Sequence, residues 1–119
     1  MGGTPRTSRV YIVSQTSLFA QGIRSLLQEQ PLIEIIGVEG DPIRAAEAVR
    51  SLHPDVVIVE STQEENERPT LDIILRNGTP DRVVALDLKH NNAIVYNRHQ
   101  VLSMRTEDLV KTIRGEARP

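Results

Sequence analysis

Two carboxylates stand at the ends of apolar, β-branched runs in this 119-residue chain. Glu60 closes Val56-Val57-Ile58-Val59, and Asp87 lies in the run Arg82-Val83-Val84-Ala85-Leu86-Asp87-Leu88. If neighbouring strand ends bring the two together, the pair either raises the pKa of one member or recruits a cation. Hydrogen bonds to Ser14, Thr16 or Lys89 are the simpler outcome, so no metal site is assigned. A polar segment, Ser14-Gln15-Thr16-Ser17, separates a third β-rich run, Arg9 to Val13, from an amphipathic stretch. Free amides at a helix N-terminus favour anions, so Thr16 and Ser17 read as helix caps or as an anion-binding loop. Phosphate loops use glycine for close backbone approach, and none lies between Val13 and Ala20, which favours capping. His53, His90 and His99 lack metal-ligand spacing, and His90 and His99 fall on exposed turns or strands. The chain has no cysteine, which removes disulfides, thiolate nucleophiles and thiolate metal sites. No catalytic residue, and no cofactor, is assigned.

Composition narrows the function further. An apolar fraction of 39% and a charged fraction of 25% are those of a globular domain. The net charge is −2, and the 14 basic residues are scattered, whereas a surface that neutralises nucleic-acid phosphates needs a basic stripe. Direct nucleic-acid binding is therefore not expected. No apolar stretch reaches the length that spans a bilayer, and Met1 to Arg6 lacks the apolar core of a signal peptide, so the expected location is cytoplasmic, away from membranes.

The elements that must position these residues follow from periodicity. Residues 1–8 read as a flexible arm, 9–115 as one domain and 116–119 as a tail. Arg9 to Val13 is a buried strand. Phe19, Ile23, Leu26 and Leu27 then mark one apolar face of a helix that Pro31 ends. Ile33 to Val38 is a second strand, and Asp41-Pro42 opens a helix through Leu52, with proline at its first position. Val56 to Glu60 is a third strand, followed by the acidic loop Ser61 to Arg68. Leu71, Ile74 and Leu75 give a short helix stopped at Asn77-Gly78, and Arg82 to Leu88 is a fourth strand. This alternation predicts an α/β domain of three layers, with four parallel strands between helices. After Leu88 the alternation breaks. Four residues, Lys89 to Asn92, cannot make a parallel crossover, so Ala93 to Tyr96 and His99 to Ser103 form an antiparallel hairpin or meander. Thr106 reads as the N-cap of a last helix carrying Leu109, Val110 and Ile113.

Three segments carry a resemblance. Val13 to Leu27, His53 to Glu60 and Thr106 to Arg114 resemble the first strand and helix, the run before the phosphoacceptor, and the last helix of response-regulator receiver domains. The resemblance implies a receiver-like, flavodoxin-like fold. It also implies a site with an acidic pair for Mg²⁺, an aspartate that takes the phosphoryl group, a hydroxyl residue and a lysine. Those positions fall on Ser14 and Gln15, on Glu60 and on Asp87, and the lysine has no match, since Leu102 or Ser103 stands there. Magnesium needs hard, charged oxygen ligands, and phosphoryl transfer rests on positioning and metal charge. The pocket Ser14, Gln15, Glu60 and Asp87 thus reads as a degenerate phosphoacceptor site of a pseudo-receiver.

In receivers the region matching Arg82 to Leu102 forms the partner face, and here a hairpin replaces its helix. Val84, Leu86, Ile94, Tyr96 and Val101 are then candidates for a partner surface, with a homodimer as the expected assembly. The resulting expectation is a phosphorylation-independent interaction and dimerisation module, not an enzyme, in bacterial signal transduction or transcription control. Two alternatives stay open. One is a small-ligand or anion-binding α/β protein using the carboxyl ends of its strands, though no sequence motif names a small molecule. The other is the receiver half of a longer DNA-binding regulator.

Overall fold

The computed structural model describes residues 7–61, 68–77, 80–97 and 101–113. The expectations for residues 1–6, Glu64 to Glu67, Gly78, Arg98 to Gln100 and the tail lie outside them. In chain order the elements are β1 (Ser8–Val13), α1 (Ser17–Leu27), β2 (Ile33–Glu39), α2 (Pro42–Leu52), β3 (Val56–Glu60) and α3 (Arg68–Asn77). They continue with β4 (Arg82–Asp87), β5 (Asn92–Asn97), β6 (Val101–Met104), a 3₁₀ turn (Thr106–Asp108) and α4 (Leu109–Ile113). The strands form one mixed six-stranded sheet in the order β2-β1-β3-β4-β5-β6. β1 to β4 run parallel to their neighbours, while β4–β5 and β5–β6 are antiparallel.

Alternation along each strand splits the core between the two sheet faces. Val10, Ile12, Val56, Ile58, Val84 and Leu86 pack with Phe19, Ile23 and Leu27 of α1 and with Leu109 and Ile113 of α4. Tyr11, Val13, Val57, Val59 and Val83 pack on the other side with Ala45, Ala46 and Val49 of α2 and Ile74 of α3. A strand covered on both faces reads as an unbroken apolar run, which is why β3 and β4 stand out in the sequence. Packing selects the helix faces more narrowly than periodicity does. Leu26 is 46% exposed and Leu75 39%, and Ala20 and Ile73 take their places against the core.

Local chemistry fixes the ends of the elements. Asp41 caps α2 through Oδ2, which accepts from Arg44 N at 3.0 Å, with Pro42 in the first turn. α2 ends at His53 in the left-handed conformation, φ 50°. Between β1 and β2 the register skips Ile36, so that Val10 faces Ile35 and Tyr11 faces Gly37. The bulge sets Gly37 beneath the Tyr11 ring, where an added Cβ would lie 2.5 Å from Cε1. The five-residue α4 is anchored at its C-terminus by two side chains from the sheet. Arg82 Nη1 donates to Thr112 O at 2.6 Å, and Ser8 Oγ donates to Ile113 O at 3.2 Å.

Several expectations change. Ser8 belongs to β1, since its amide donates to Leu32 O at 2.8 Å and continues the ladder. β4 stops at Asp87, and Leu88 enters the turn with 40% of its surface exposed. β6 covers Val101–Met104, one residue beyond the expected end at Ser103. Thr106 is not a cap. Arg105 precedes the 3₁₀ turn without a side-chain cap bond, and the buried Thr106 Oγ1 has no hydrogen-bond partner among the described residues.

Candidate functional site

The carboxyl ends of β1 and β3 converge on Glu60. β1 delivers Ser14, which is 8% exposed, and the chain then turns into α1 with Thr16 as N-cap (φ −118°, ψ 133°). Ser14 Oγ donates to Glu60 Oε1 at 2.7 Å, and Thr16 Oγ1 lies 3.2 Å from both carboxylate oxygens. Each hydroxyl also accepts from the backbone: Ser14 Oγ from Thr16 N at 3.0 Å, and Thr16 Oγ1 from Phe19 N at 3.4 Å. Two parallel relays therefore run from amides at the start of α1 through a hydroxyl to the Glu60 carboxylate. Donors in such a chain polarise one another, and the negative charge sits where the helix dipole favours it. Ser14 has a second acceptor within reach, Thr16 O at 2.9 Å, although its single proton serves only one at a time.

The sequence-derived pocket only partly assembles. Ser14 and Glu60 meet, and Thr16 joins them as a second ligand of the carboxylate as well as a cap. Gln15 and Ser17 are exposed. Asp87 stands apart from Glu60. In the β3–β4 register Glu60 faces Leu86, so the next residue, Asp87, projects from the opposite sheet face. Asp87 is 7% exposed and turns back on its own hairpin. Its Oδ1 accepts from His90 N at 3.1 Å, and Oδ2 lies 2.8 Å from His90 Nδ1. No bond from Lys89 to Glu60 is found among the described residues. No group of three metal-ligating side chains occurs among them either. The Asp87–His90 pair was missed in the sequence, where its only signal is an acid and a histidine three residues apart across a turn.

An open groove of ≈ 440 Å³ lies beside the relay, between α1 and the end of β2. Gln15, Ser17, Gln21 and Arg24 rim it over Val38 and Gly40. A Cβ on Gly40 would stand 3.0 Å from Ser14 O, so this glycine lets the β2–α2 loop close on the β1–α1 loop. On the opposite face of the sheet, the Tyr11 hydroxyl is held above its ordinary pKa, first by burial and second by the charge of Glu39.

The proposed partner surface needs correction. Val84 and Leu86 are 0% exposed, because β4 is an interior strand and these residues face α1 and α4. They cannot meet a partner. Ile94 and Tyr96 are half-buried on the other face, and Val101 on the edge strand is 61% exposed.

No family model matches the chain. It is similar to protein-glutamate methylesterase/protein-glutamine glutaminase of Hydrogenovibrio crunogenus, 38% identical over 52 residues, covering 44% of this chain and 14% of that protein. It is 30% identical over 81 residues to protein-glutamate methylesterase/protein-glutamine glutaminase 3 of Myxococcus xanthus, covering 68% of this chain and 23% of that one. With protein-glutamate methylesterase/protein-glutamine glutaminase 1 of Methanosarcina acetivorans it shares 28% over 123 residues, covering 90% and 35%. The chain thus spans between 14% and 35% of the length of these relatives. Among solved structures it resembles the response regulator domain of Thermotoga maritima CheB, with TM-score 0.58, 22% identity and coverage of 69% of this chain and 61% of that one. The receiver domain of the response regulator NarL from Mycobacterium tuberculosis gives TM-score 0.57, 20% identity and coverage of 70% and 68%. The fold is that of a response-regulator receiver domain. No helix among the described residues is long and apolar enough to cross a membrane.

Proposed function

We propose that this chain is a receiver-like interaction module of bacterial signal transduction or transcription control that works without phosphorylation. The observation that supports this most is the closed relay at Glu60. Where a magnesium site would need carboxylates beside the acceptor, Ser14 supplies a hydroxyl bound to Glu60 and Gln15 is neutral. The charge of Glu60 is taken up by two hydroxyls and a helix terminus, so no strong cation site remains. Incubation with acetyl phosphate and Mg²⁺ should leave Glu60 unmodified in mapped peptides, and a phosphoryl adduct on Glu60 would overturn the proposal. Binding through a second copy is part of the same reading, with Ile94, Tyr96 and Val101 near the open β6 edge as its contacts. β6 carries no charge, proline or bulge to blunt that edge. Sedimentation should show a concentration-dependent dimer that Val101→Lys weakens, and a monomer at every concentration would remove this part.

The groove beside α1 favours a second reading, a small-ligand or anion site at the carboxyl ends of the strands. Phosphate or nucleotides that raised the melting temperature by several degrees would favour it over the first.

A further inference from the structure

The hairpin between β4 and β5 holds a side chain with chemistry that the relay at Glu60 leaves unused. His90 sits on a turn whose residues Leu88 to Asn92 are all exposed, with Asn91 in the left-handed conformation at φ 52°. Its partner Asp87 is fixed, with a side chain 9% exposed against 45% for the imidazole. The carboxylate uses both oxygens on one residue: Oδ1 takes the His90 amide and Oδ2 meets Nδ1 at 2.8 Å. A carboxylate accepts, so Nδ1 carries the proton. The lone pair of the neutral ring then belongs to Nε2, for which no partner is found among the described residues. A buried carboxylate that fixes the tautomer and orientation of an accessible imidazole is the arrangement that prepares histidine to act as a base or a nucleophile. No described hydroxyl or thiol lies against Nε2 as a proton donor to be activated, which leaves the ring itself as the reacting group.

We propose that His90 is a modification site whose Nε2 accepts a phosphoryl group from a small donor of the phosphoramidate class. The Nε2 lone pair forms the N–P bond while the P–N bond of the donor breaks, and ammonia leaves with the proton and electron pair it needs. The ring in the product is positively charged, and Asp87 offsets that charge through the Nδ1–H it already holds. This chemistry is separate from the Glu60 reading, because it needs neither an acyl acceptor nor Mg²⁺.

The test treats the full chain with phosphoramidate and maps the adduct over time, with exposed His53 as the internal reference. His90 should be labelled about tenfold faster than His53, as expected for an oriented group. The bond should be stable in base and labile in acid. His90→Gln, an exposed change that leaves the core intact, should abolish the fast label. Asp87→Asn should bring His90 down to the His53 rate. Equal labelling of His90 and His53 in the unaltered chain would overturn the proposal, whether or not Asp87→Asn folds. An adduct lost in base would place the group on a carboxylate such as Glu60, which sinks the phosphorylation-independent reading without touching this one.

Discussion

Replacing Glu60 with alanine tests whether the relay is a structural latch or a carboxylate that happens to lie at a strand end. The change strips two hydroxyls of a charged acceptor, Ser14 Oγ at 2.7 Å and Thr16 Oγ1 at 3.2 Å. Hydrogen bonds to charged groups contribute about 1.5–3 kcal/mol each when well shielded. Three features lower that figure here. Glu60 is half-exposed, the Thr16 hydroxyl can turn to water, and Ser14 can turn to Thr16 O at 2.9 Å. A loss of about 1–1.5 kcal/mol follows, equivalent to a fall in Tm of about 4–6 °C for a domain of this size. Glu60→Gln keeps one acceptor oxygen and should lose about half as much. The assay is urea unfolding of Glu60→Ala, Ser14→Ala and the double variant. A coupling energy of about 0.5–1 kcal/mol is expected for residues in direct contact. Stability of Glu60→Ala within about 0.3 kcal/mol of the parent, with no coupling to Ser14, would refute the latch. Glu60 would then be a solvated carboxylate.

Three further outcomes follow from other parts of the molecule. Tyr11 has a raised pKa in the folded chain, so the native state holds its proton more tightly than the unfolded state does. Stability from this group is intact below the ordinary value of 10.0 and falls as pH rises above it. Urea midpoints measured across that range should fall, and Tyr11→Phe should flatten the dependence; an unchanged slope would count against it. Gly37→Ala places a methyl 2.5 Å from Cε1 of the buried Tyr11 ring, and should cost about 1–3 kcal/mol by denaturant unfolding. Tyr11→Leu in that background should recover part of the loss. Leu32 holds φ 67°, a conformation that penalises a branched-chain residue, and its side chain is 43% exposed. Leu32→Gly should therefore stabilise by about 0.5–1 kcal/mol, and a destabilised variant would show that the Leu32 side chain contributes more than its backbone strain costs.

Much of this molecule is written locally. The runs Val56–Val59 and Arg82–Leu86 announce interior strands because both of their faces are covered, and the Asp41-Pro42 start works through φ and capping alone. The four-residue spacing after Leu88 forces an antiparallel return, since no crossover fits, and the register of β4 with β5 agrees. Likewise, the receiver resemblance sets neutral Ser14 and Gln15 where that family carries an acidic pair, and this is the expectation on which the proposed function builds. Tertiary structure decided the rest, because the deciding quantities lie between elements. One step of alternation sends Asp87 to the sheet face opposite Glu60, so a pair suggested by strand ends never forms. Burial of β4 by two neighbouring strands and two helices turns Val84 and Leu86 from surface candidates into core. The partner of Asp87, the anchors of α4 on Arg82 and Ser8, and the meeting of Thr16 with Glu60 all join groups whose approach depends on where the backbone folds. A sequence states which groups a chain owns; the packing of its strands settles which of them touch.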